Sequence, residues 1–450
     1  MNENNLTEGS IGKTLLLFAV PFLIANVLQS LYGAVDLFVV GKYCGAESVA
    51  AVATGTQVTM IVTSLVAGLT LGSTIIVGQY MGSRDYDYVK KIIGTTFTAF
   101  AVVALVLTAA MLLFERPLLT LMHTPAESFE LTMQYVAICA LGNIFICGYN
   151  SISAILRGCG DSKRPMMFIG LACVLNIILD FVLVKYFGMG VSGTALATVI
   201  SQSVSMITAV VYLKKREFLF DFRPSSFRPY GAIVRKLAAV GIPISFQELM
   251  VRISFLYLTT VMNSCGVYAA AVVGISSRYD VFAMLSATSM SNALAAITAH
   301  NMGAKKPERA RKSLWYGMTF ALAASLLFWV WAQVSPESMI GVFSKDENVI
   351  AAGVPFFRSC SYDYIMVAIV FCLNGYLNGR QKIIWTMVSC SAGALLLRIP
   401  MVYYFGLHYA NDLGMLGKIA PFVSGLMACY TLIYVLYEGR HDRARECAEH

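Results

Sequence analysis

The amino-acid sequence predicts an all-α integral membrane protein, with twelve transmembrane helices in two pseudo-symmetric six-helix lobes around a central cleft. Three observations carry this expectation. The 450 residues are 58% hydrophobic and only 13% charged, whereas a soluble domain carries roughly 25% charged residues. Eight runs, 14–35, 48–83, 92–114, 131–156, 186–213, 253–277, 313–336 and 419–437, contain no Asp, Glu, Lys or Arg, and about 20 such residues cross a bilayer as a helix. The chain also repeats itself. At an offset of 221, Cys44-Gly45 falls on Cys265-Gly266, Met81-Gly82 on Met302-Gly303, Lys90-Lys91 on Arg311-Lys312 and Leu156-Arg157-Gly158 on Leu377-Asn378-Gly379, while Val20-Pro21 meets Ile242-Pro243 at 222.

Taken in order, the spans fall at about 12–40, 46–80, 92–114, 129–156, 164–187, 192–213, 235–262, 268–300, 313–335, 350–377, 383–408 and 414–437. Short stretches rich in Gly, Pro and charge separate them. Six spans per half is an even number, so the two halves share one topology. That implies a pseudo-two-fold axis along the membrane normal and a cleft between lobes. The expected divisions are 1–213 for the N-terminal lobe, 214–231 for a cytoplasmic linker and 232–450 for the C-terminal lobe and tail.

Lys and Arg orient the chain. With the N-terminus in the cytoplasm, 24 of the 33 basic residues fall inside, among them seven of the linker (including Arg216), five of the 305–312 loop and Arg440, Arg443 and Arg445 of the tail. Six fall outside, and Arg252, Arg278 and Arg398 lie within spans. Residues 1–10 are polar and acidic, without a basic n-region, so the first apolar helix is expected to remain as an anchor. A cytoplasmic (plasma or inner) membrane protein with both termini in the cytoplasm follows.

Several classes of function are disfavoured. The net charge of +8 reads as a lipid-facing cytoplasmic surface, since no soluble element offers a basic face for nucleic acid. Eleven Cys are scattered singly and none shows CxxC or Cys/His metal spacing. The Arg157-Gly-Cys-Gly-Asp161 stretch lacks the Lys-Ser/Thr ending of a phosphate loop and sits between two spans, so a tight turn is expected and no nucleotide site. No GxSxG, HExxH or paired His supports an intramembrane enzyme. Two unequal halves in one chain argue for rocking rather than for a ring-shaped channel, and a monomer without cofactor is expected.

Within the fifth span, Asn176 and Asp180 stand four residues apart in an otherwise apolar segment. Positions i and i+4 share one helix face. A carboxylate at membrane depth is costly and marks a functional site by default.

The chain resembles the multidrug and toxic compound extrusion (MATE) family of cation-coupled exporters over about residues 12–437. The resemblance is carried by Val20-Pro21, Tyr32-Gly-Ala-Val-Asp36-Leu-Phe-Val-Val-Gly41, Ile155-Leu-Arg-Gly-Cys-Gly-Asp161-Ser-Lys-Arg-Pro165, Asn176 with Asp180, Gly190-Val-Ser-Gly-Thr-Ala-Leu-Ala-Thr198 and Ile242-Pro-Ile-Ser-Phe-Gln247-Glu248. It implies outward export of small amphipathic, often cationic compounds, coupled to inward H⁺ or Na⁺. It also implies a cation site in the N-terminal lobe at Asp36, Asn176, Asp180 and Thr198. Glu248 and Asp363 match acids that another subgroup of the family uses in the C-terminal lobe.

Depth supports the first set, because Asp36, Asp180 and Thr198 all fall in the outer half of their spans. Two carboxylates, a carboxamide and a hydroxyl make a hard, oxygen-rich cage suited to Na⁺ or to a shared proton. Two acids close together in low dielectric cannot both stay ionised without a counter-ion. In the second lobe, Gln247 and Glu248 follow Pro243 closely and are candidates for a cationic substrate or a second proton. Arg252, at i+4 from Glu248, would equally satisfy it. Asp280 is a further candidate, although its neighbours Arg278 and Tyr279 favour a structural charge pair. Asp363 lies between Tyr362 and Tyr364, which suits an organic cation. Pro21 and Pro243 stand at equivalent repeat positions and are read as hinges. A flippase for a lipid-linked saccharide or lipid is the alternative reading. It ranks lower, since such a cavity is typically strongly cationic and the span acids here outnumber Arg252, Arg278 and Arg398. Offset by 221, Asn176 and Asp180 fall on Leu397 and Met401, so the coupling chemistry is expected in the N-terminal lobe alone.

Overall fold

In hydrocarbon every backbone N–H and C=O must be satisfied within its own segment, so long charge-free runs become helices. The computed structural model describes residues 6–122, 124–215, 218–409 and 412–449, with side chains to residue 440. Arg216 lies outside the described residues, as do the side chains of Arg443 and Arg445. Every element among the described residues is helical. Twelve helices are long and apolar enough to cross a membrane. In chain order they are α1 (Ile11–Tyr43), α2 (Ala46–Gly82), α3 (Tyr86–Leu121), α4 (Ala126–Gly158), α5 (Lys163–Tyr186), α6 (Gly190–Lys215), α7 (Gly231–Ser264), α8 (Val267–Gly303), α9 (Pro307–Val334), α10 (Glu347–Gly379), α11 (Ile383–His408) and α12 (Leu413–Arg440). Leu105, Leu113 and Leu121 of α3 are 65%, 74% and 75% exposed, a surface suited to lipid chains rather than water.

Helix ends follow local chemistry. α3 begins at Tyr86, earlier than its charge-free run, because Asp85 accepts a hydrogen bond from the Tyr88 N–H at 3.1 Å and so satisfies one free donor of the first turn. The 157–161 stretch is a tight turn. The Asp161 carboxylate accepts from the backbone of Lys163 and Arg164 at 3.0 and 3.1 Å and pairs with the Arg164 guanidinium at 3.0 Å. Four spans are not plain α-helix, α12 being interrupted at Lys418. α5 turns into a π-helix at Phe181–Tyr186, α11 does so at Gly393–Arg398, and α10 is interrupted at Ser361.

The repeat is visible in the backbone. Left-handed residues recur at an offset of 221, as Arg84 (φ 61) and Lys305 (φ 56), and as Gly160 (φ 86) and Gln381 (φ 60). A helix contact recurs with them. A Cβ on Gly158 would lie 2.6 Å from the Val77 Cβ, and a Cβ on Gly379 would lie 2.6 Å from the Thr298 Cβ. Both pairs are 221 apart in the sequence, so each half brings its fourth span equally close to its second.

The chain forms two compact units, one of residues 20–245 and the other of residues 7–19 and 246–450. The divisions fall inside α1 and α7, next to Pro21 and Pro243. In the first unit the 218–230 connection lies against α3. Thr98 Oγ1 donates to the Phe227 carbonyl at 2.8 Å, and Phe220, Phe222 and Phe227 surround Phe97 at 5.8–6.0 Å between centroids. In the second unit Glu438 of α12 pairs with Arg380 at 3.2 Å and Lys382 at 2.7 Å. Hydrogen bonding to Glu438 raises the pKa of Lys382, which stands just outside α11.

Gly158→Val and Gly379→Val should each destabilise the protein, by about 1–3 kcal/mol for overpacking a tight helix contact. Thermal unfolding in detergent measures this, and an unchanged midpoint in both variants would contradict the paired contacts.

Candidate functional site

Asp36 is delivered by α1, Asn176 and Asp180 by α5, and Thr198 by α6. Asp36 precedes the end of α1 at Tyr43 by seven residues, Asp180 precedes Tyr186 by six, and Thr198 follows Gly190 by eight. At about 1.5 Å per residue these are depths of roughly 9–12 Å from neighbouring helix ends. Asp36, Asp180 and Thr198 therefore lie at one level inside the first unit, with Asn176 one turn deeper on α5.

The structure brings them together. Asp36, Asn176 and Asp180 are 5%, 1% and 0% exposed. The Asn176 amide donates to Thr198 Oγ1 at 3.3 Å. Asp36 lies within hydrogen-bonding reach of Asp180, Asn176 and Thr198. The Asn176 donor is thus directed at the hydroxyl, and its carbonyl oxygen is left over. Asp36 Oδ1, Asn176 Oδ1 and both carboxylate oxygens of Asp180 receive no hydrogen bond. Four buried acceptors without a donor at one point form an arrangement that is expensive unless a positive species joins them. The donor set (carboxylate, carboxamide and hydroxyl oxygen) fits a hard cation or a proton. Among the described residues no group of three or more His, Cys, Asp and Glu could hold a metal, so this is a two-acid site.

Features outside the sequence reading surround it. The π-helix begins at the residue after Asp180, and such turns recur at functional sites. Nothing in Phe181-Val-Leu-Val-Lys-Tyr186 distinguishes a π turn from an α turn. Tyr32, Tyr135, Cys139 and Cys173 lie close enough to feel the Asp36 charge. Tyr32 stands one turn before Asp36, a spacing that could have found it.

The candidates of the second unit arrange themselves differently from the sequence expectation. Arg278 is exposed and does not serve Asp280. Asp280 instead has Tyr364, Asp363 and Arg398 around it. Asp363 is 4% exposed and stands in the first turn after the break at Ser361, where the helix dipole favours an acid. Its neighbours Tyr362 and Tyr364 turn their rings to Trp329 and Phe328. Gln247 and Glu248 line a cavity with Arg398, and Arg252 is within electrostatic range of Glu248. Pro21 and Pro243 lie inside continuous helices.

A twelve-span helical protein built from a repeat, with a buried polar cage, has the architecture of a membrane transporter. A family model described as MatE matches residues 21–182 and again 243–404. The chain belongs to the MatE family, the multidrug and toxic compound extrusion transporters, and is a multi-pass membrane multidrug efflux transporter, not an enzyme. A probable multidrug resistance protein, YpnP of Bacillus subtilis, is 26% identical over 90% of this chain and 91% of its own. The multidrug export protein MepA of Staphylococcus haemolyticus is 21% identical over 96% and 95%. A FAD transporter of Shewanella oneidensis is 24% identical over 96% of each chain. Among solved structures, a MATE crystal structure in the bent conformation superposes with a TM-score of 0.92 at 21% identity, covering 100% of both chains. An outward-facing multidrug resistance MATE family transporter superposes with a TM-score of 0.89 at 22% identity, covering 96% and 97%.

The two family matches are displaced by 222 residues, not 221.

If the orphaned oxygens hold a cation, the purified protein should gain thermal stability in one of two titrations, Na⁺ at fixed pH or pH at fixed K⁺. Occupancy at 100 times Kd is worth about 2.7 kcal/mol. Asp180→Asn should flatten the response, and an equal response in that variant would rule the cage out as the binding place.

Proposed function

We propose that the protein is a cation-coupled antiporter. Inward movement of H⁺ or Na⁺ through the Asp36, Asn176, Asp180 and Thr198 site would drive export of small amphipathic, often cationic compounds by alternating access. The observation that carries this reading is the set of four buried acceptor oxygens without donors, supplied by α1 and α5 next to Thr198 of α6. Asp36 and Asp180 bind the ion, Asn176 contributes its carbonyl oxygen and Thr198 turns the Asn176 amide away from it. Gln247, Glu248, Asp280 and Asp363 are secondary candidates, for substrate or for a further proton.

Pro21 and Pro243 act as hinges in this scheme. Each removes a backbone hydrogen bond within a helix that passes from one compact unit into the other. The working form is a monomer in the cytoplasmic membrane, surrounded by lipid and with both termini in the cytoplasm. The basic inner loops support that orientation. The lobes are 1–213 and 232–450, joined by the 214–231 linker.

Efflux from proteoliposomes under an imposed pH gradient and under an imposed Na⁺ gradient tests the proposal and separates the two ions. Wild-type protein should respond to at least one. Asp36→Asn and Asp180→Asn should each lower gradient-driven efflux by at least about tenfold, the effect expected from losing one charged ligand. Efflux intact in both variants, at matched protein levels, would sink the reading.

A further inference from the structure

A cavity of about 330 Å³ lies within the second unit, lined by Gln333 of α9, Arg358, Ser359 and Tyr362 of α10, and Lys418 and Pro421 of α12. It shares no residue with the cavity at Glu248. Two of its six lining residues are cations and none is an acid. Arg358 and Lys418 are exposed, and no salt bridge among the described residues engages either. The Lys418 ammonium meets the Met415 thioether at 3.5 Å, a weak acceptor. The nearest acid along α10, Asp363, is buried and is acted on by Arg398 and Ser424, which lie outside this cavity. Gln333 stands one residue before the end of α9, and Lys418 follows the start of α12 by five. Both are therefore within about 8 Å of a helix end, a level at which a bilayer presents headgroups rather than hydrocarbon.

Two helix breaks meet at this cavity. α10 stops at Cys360 and restarts at Tyr362, and α12 stops at Gly417 and restarts at Ile419. The fourth and sixth spans of the first half, α4 and α6, run unbroken. A break frees backbone groups that must be paired elsewhere. Gln333 supplies part of that pairing, since its Nε2 donates to the Arg358 carbonyl at 2.8 Å and to Ser361 Oγ at 2.9 Å. Lys418 and Pro421 bracket the start of the restarted helix, whose N-terminal dipole adds to the two cations. Counted back by 221 or by 222, Arg358 falls on Ala137 or Val136, and Lys418 on Ala197 or Leu196. The scaffold thus does without the breaks and without the cations in its first half.

We infer that this cavity binds a phosphate group, with the Arg358 guanidinium pairing two of its oxygens, Lys418 neutralising a third, and the Ser359 and Tyr362 hydroxyls in the wall as further donors. The planar guanidinium fork matches two phosphate oxygens at once, and Lys acts beside it as a point charge. A carboxylate offers two oxygens in all, whereas a phosphate has enough for both cations. A single water needs about 10–15 Å³, so 330 Å³ admits the phosphate together with the glycerol or sugar that carries it. Tyr362 is 45% exposed at the rim, and Tyr is enriched where a membrane protein meets headgroups. A phospholipid headgroup and a soluble phosphate ester present the same group to these side chains. The inference requires neither ion coupling nor efflux.

Binding by the purified full-length protein in a phosphate-free detergent provides the test, in two arms. Native mass spectrometry compares dioleoyl phosphatidylglycerol with dioleoyl glycerol, and isothermal titration calorimetry compares glycerol 1-phosphate with glycerol. Wild-type protein should prefer the phosphate-bearing member in at least one arm, by at least about tenfold. Arg358→Gln and Lys418→Gln should each weaken that binding by about 10- to 100-fold, as expected from losing a charged donor. Arg358→Lys should recover part of the loss, as a charge without the fork. Lys185→Gln removes an exposed cation of the other unit and should leave binding unchanged. Preference in the lipid arm alone identifies a headgroup, preference in the soluble arm alone identifies a free phosphate ester, and preference in both identifies the shared group. No preference in either arm, or equal weakening by Lys185→Gln and Arg358→Gln, would overturn the inference. Should Arg358→Gln fail to fold, the wild-type preferences and Lys418→Gln decide, and binding intact in Lys418→Gln would overturn it.

Discussion

Asp36 and Asp180 bring two carboxyl groups into one buried place, and the groups acting on them are each other, Asn176 and Thr198. Were both ionised, the repulsion would be of the order of that between two unit charges 4 Å apart, about 4 kcal/mol at an effective dielectric near 20. Helix packing alone cannot absorb this, because both acids are buried and no Lys, Arg or His is among the groups acting on them. Three helices of different length reach one level to build the arrangement, and the α5 backbone widens into a π turn immediately beyond Asp180. Local structure is therefore spent on bringing the acids together. A chain that needed only rigid packing would do better with apolar residues at these positions. The arrangement makes physical sense once a positive species enters and leaves, and exchange of that species is what a coupled transporter requires.

The second unit solves the same electrostatic problem by another route. Asp280 and Asp363 have Arg398 near them, a cation attached to the chain. Backbone geometry is shared between the halves down to single left-handed residues, as the pairs Arg84 with Lys305 and Gly160 with Gln381 show. Charge is not shared. The π turns are out of register as well, since Phe181–Tyr186 lies 212 residues before Gly393–Arg398. Moving the π turn changes which side chains face inward on the fifth span of each half. One duplicated scaffold can thus bury acids without a basic side chain in one half and beside one in the other.

Much of this was legible in the residues. Charge-free runs, basic loops and the 221-residue offset gave the twelve spans and the two-fold repeat, because hydrocarbon leaves the backbone few choices. Asn176 and Asp180 were visible as an i, i+4 pair, and the resemblance supplied Asp36 and Thr198. Neighbours across helices were not visible. Asp280 reads as a partner of Arg278 only along the chain, whereas helix rotation exposes Arg278 and turns Asp280 towards Tyr364. Arg398 was evident as a charge within a span, but its surroundings, Ser254, Phe255 and Glu248, come from α7. The π turns left no trace, since they are a property of how α5 and α11 pack rather than of their residue types.

The remaining step joins the ion site to motion. α1 contributes residues 20–43 to the unit that contains Asp36, while its residues 11–19 pack with the other unit. α7 is divided likewise, and Ser245 just before its division is held by a hydrogen bond from its hydroxyl to the Leu65 carbonyl at 2.7 Å. A helix anchored in two units cannot respond to a new charge at Asp36 by sliding as a whole. Its soft point is where the backbone ladder is already broken, at Pro21, about 15 residues and four turns from the acid. On this proposal, ion occupancy at Asp36 and Asp180 would shift the outer part of α1 while the inner part stays with its own unit, and the bend at Pro21 would take up the difference. Coupling would then need no contact between ion and substrate. It would follow from the two competing for the shape of one shared helix.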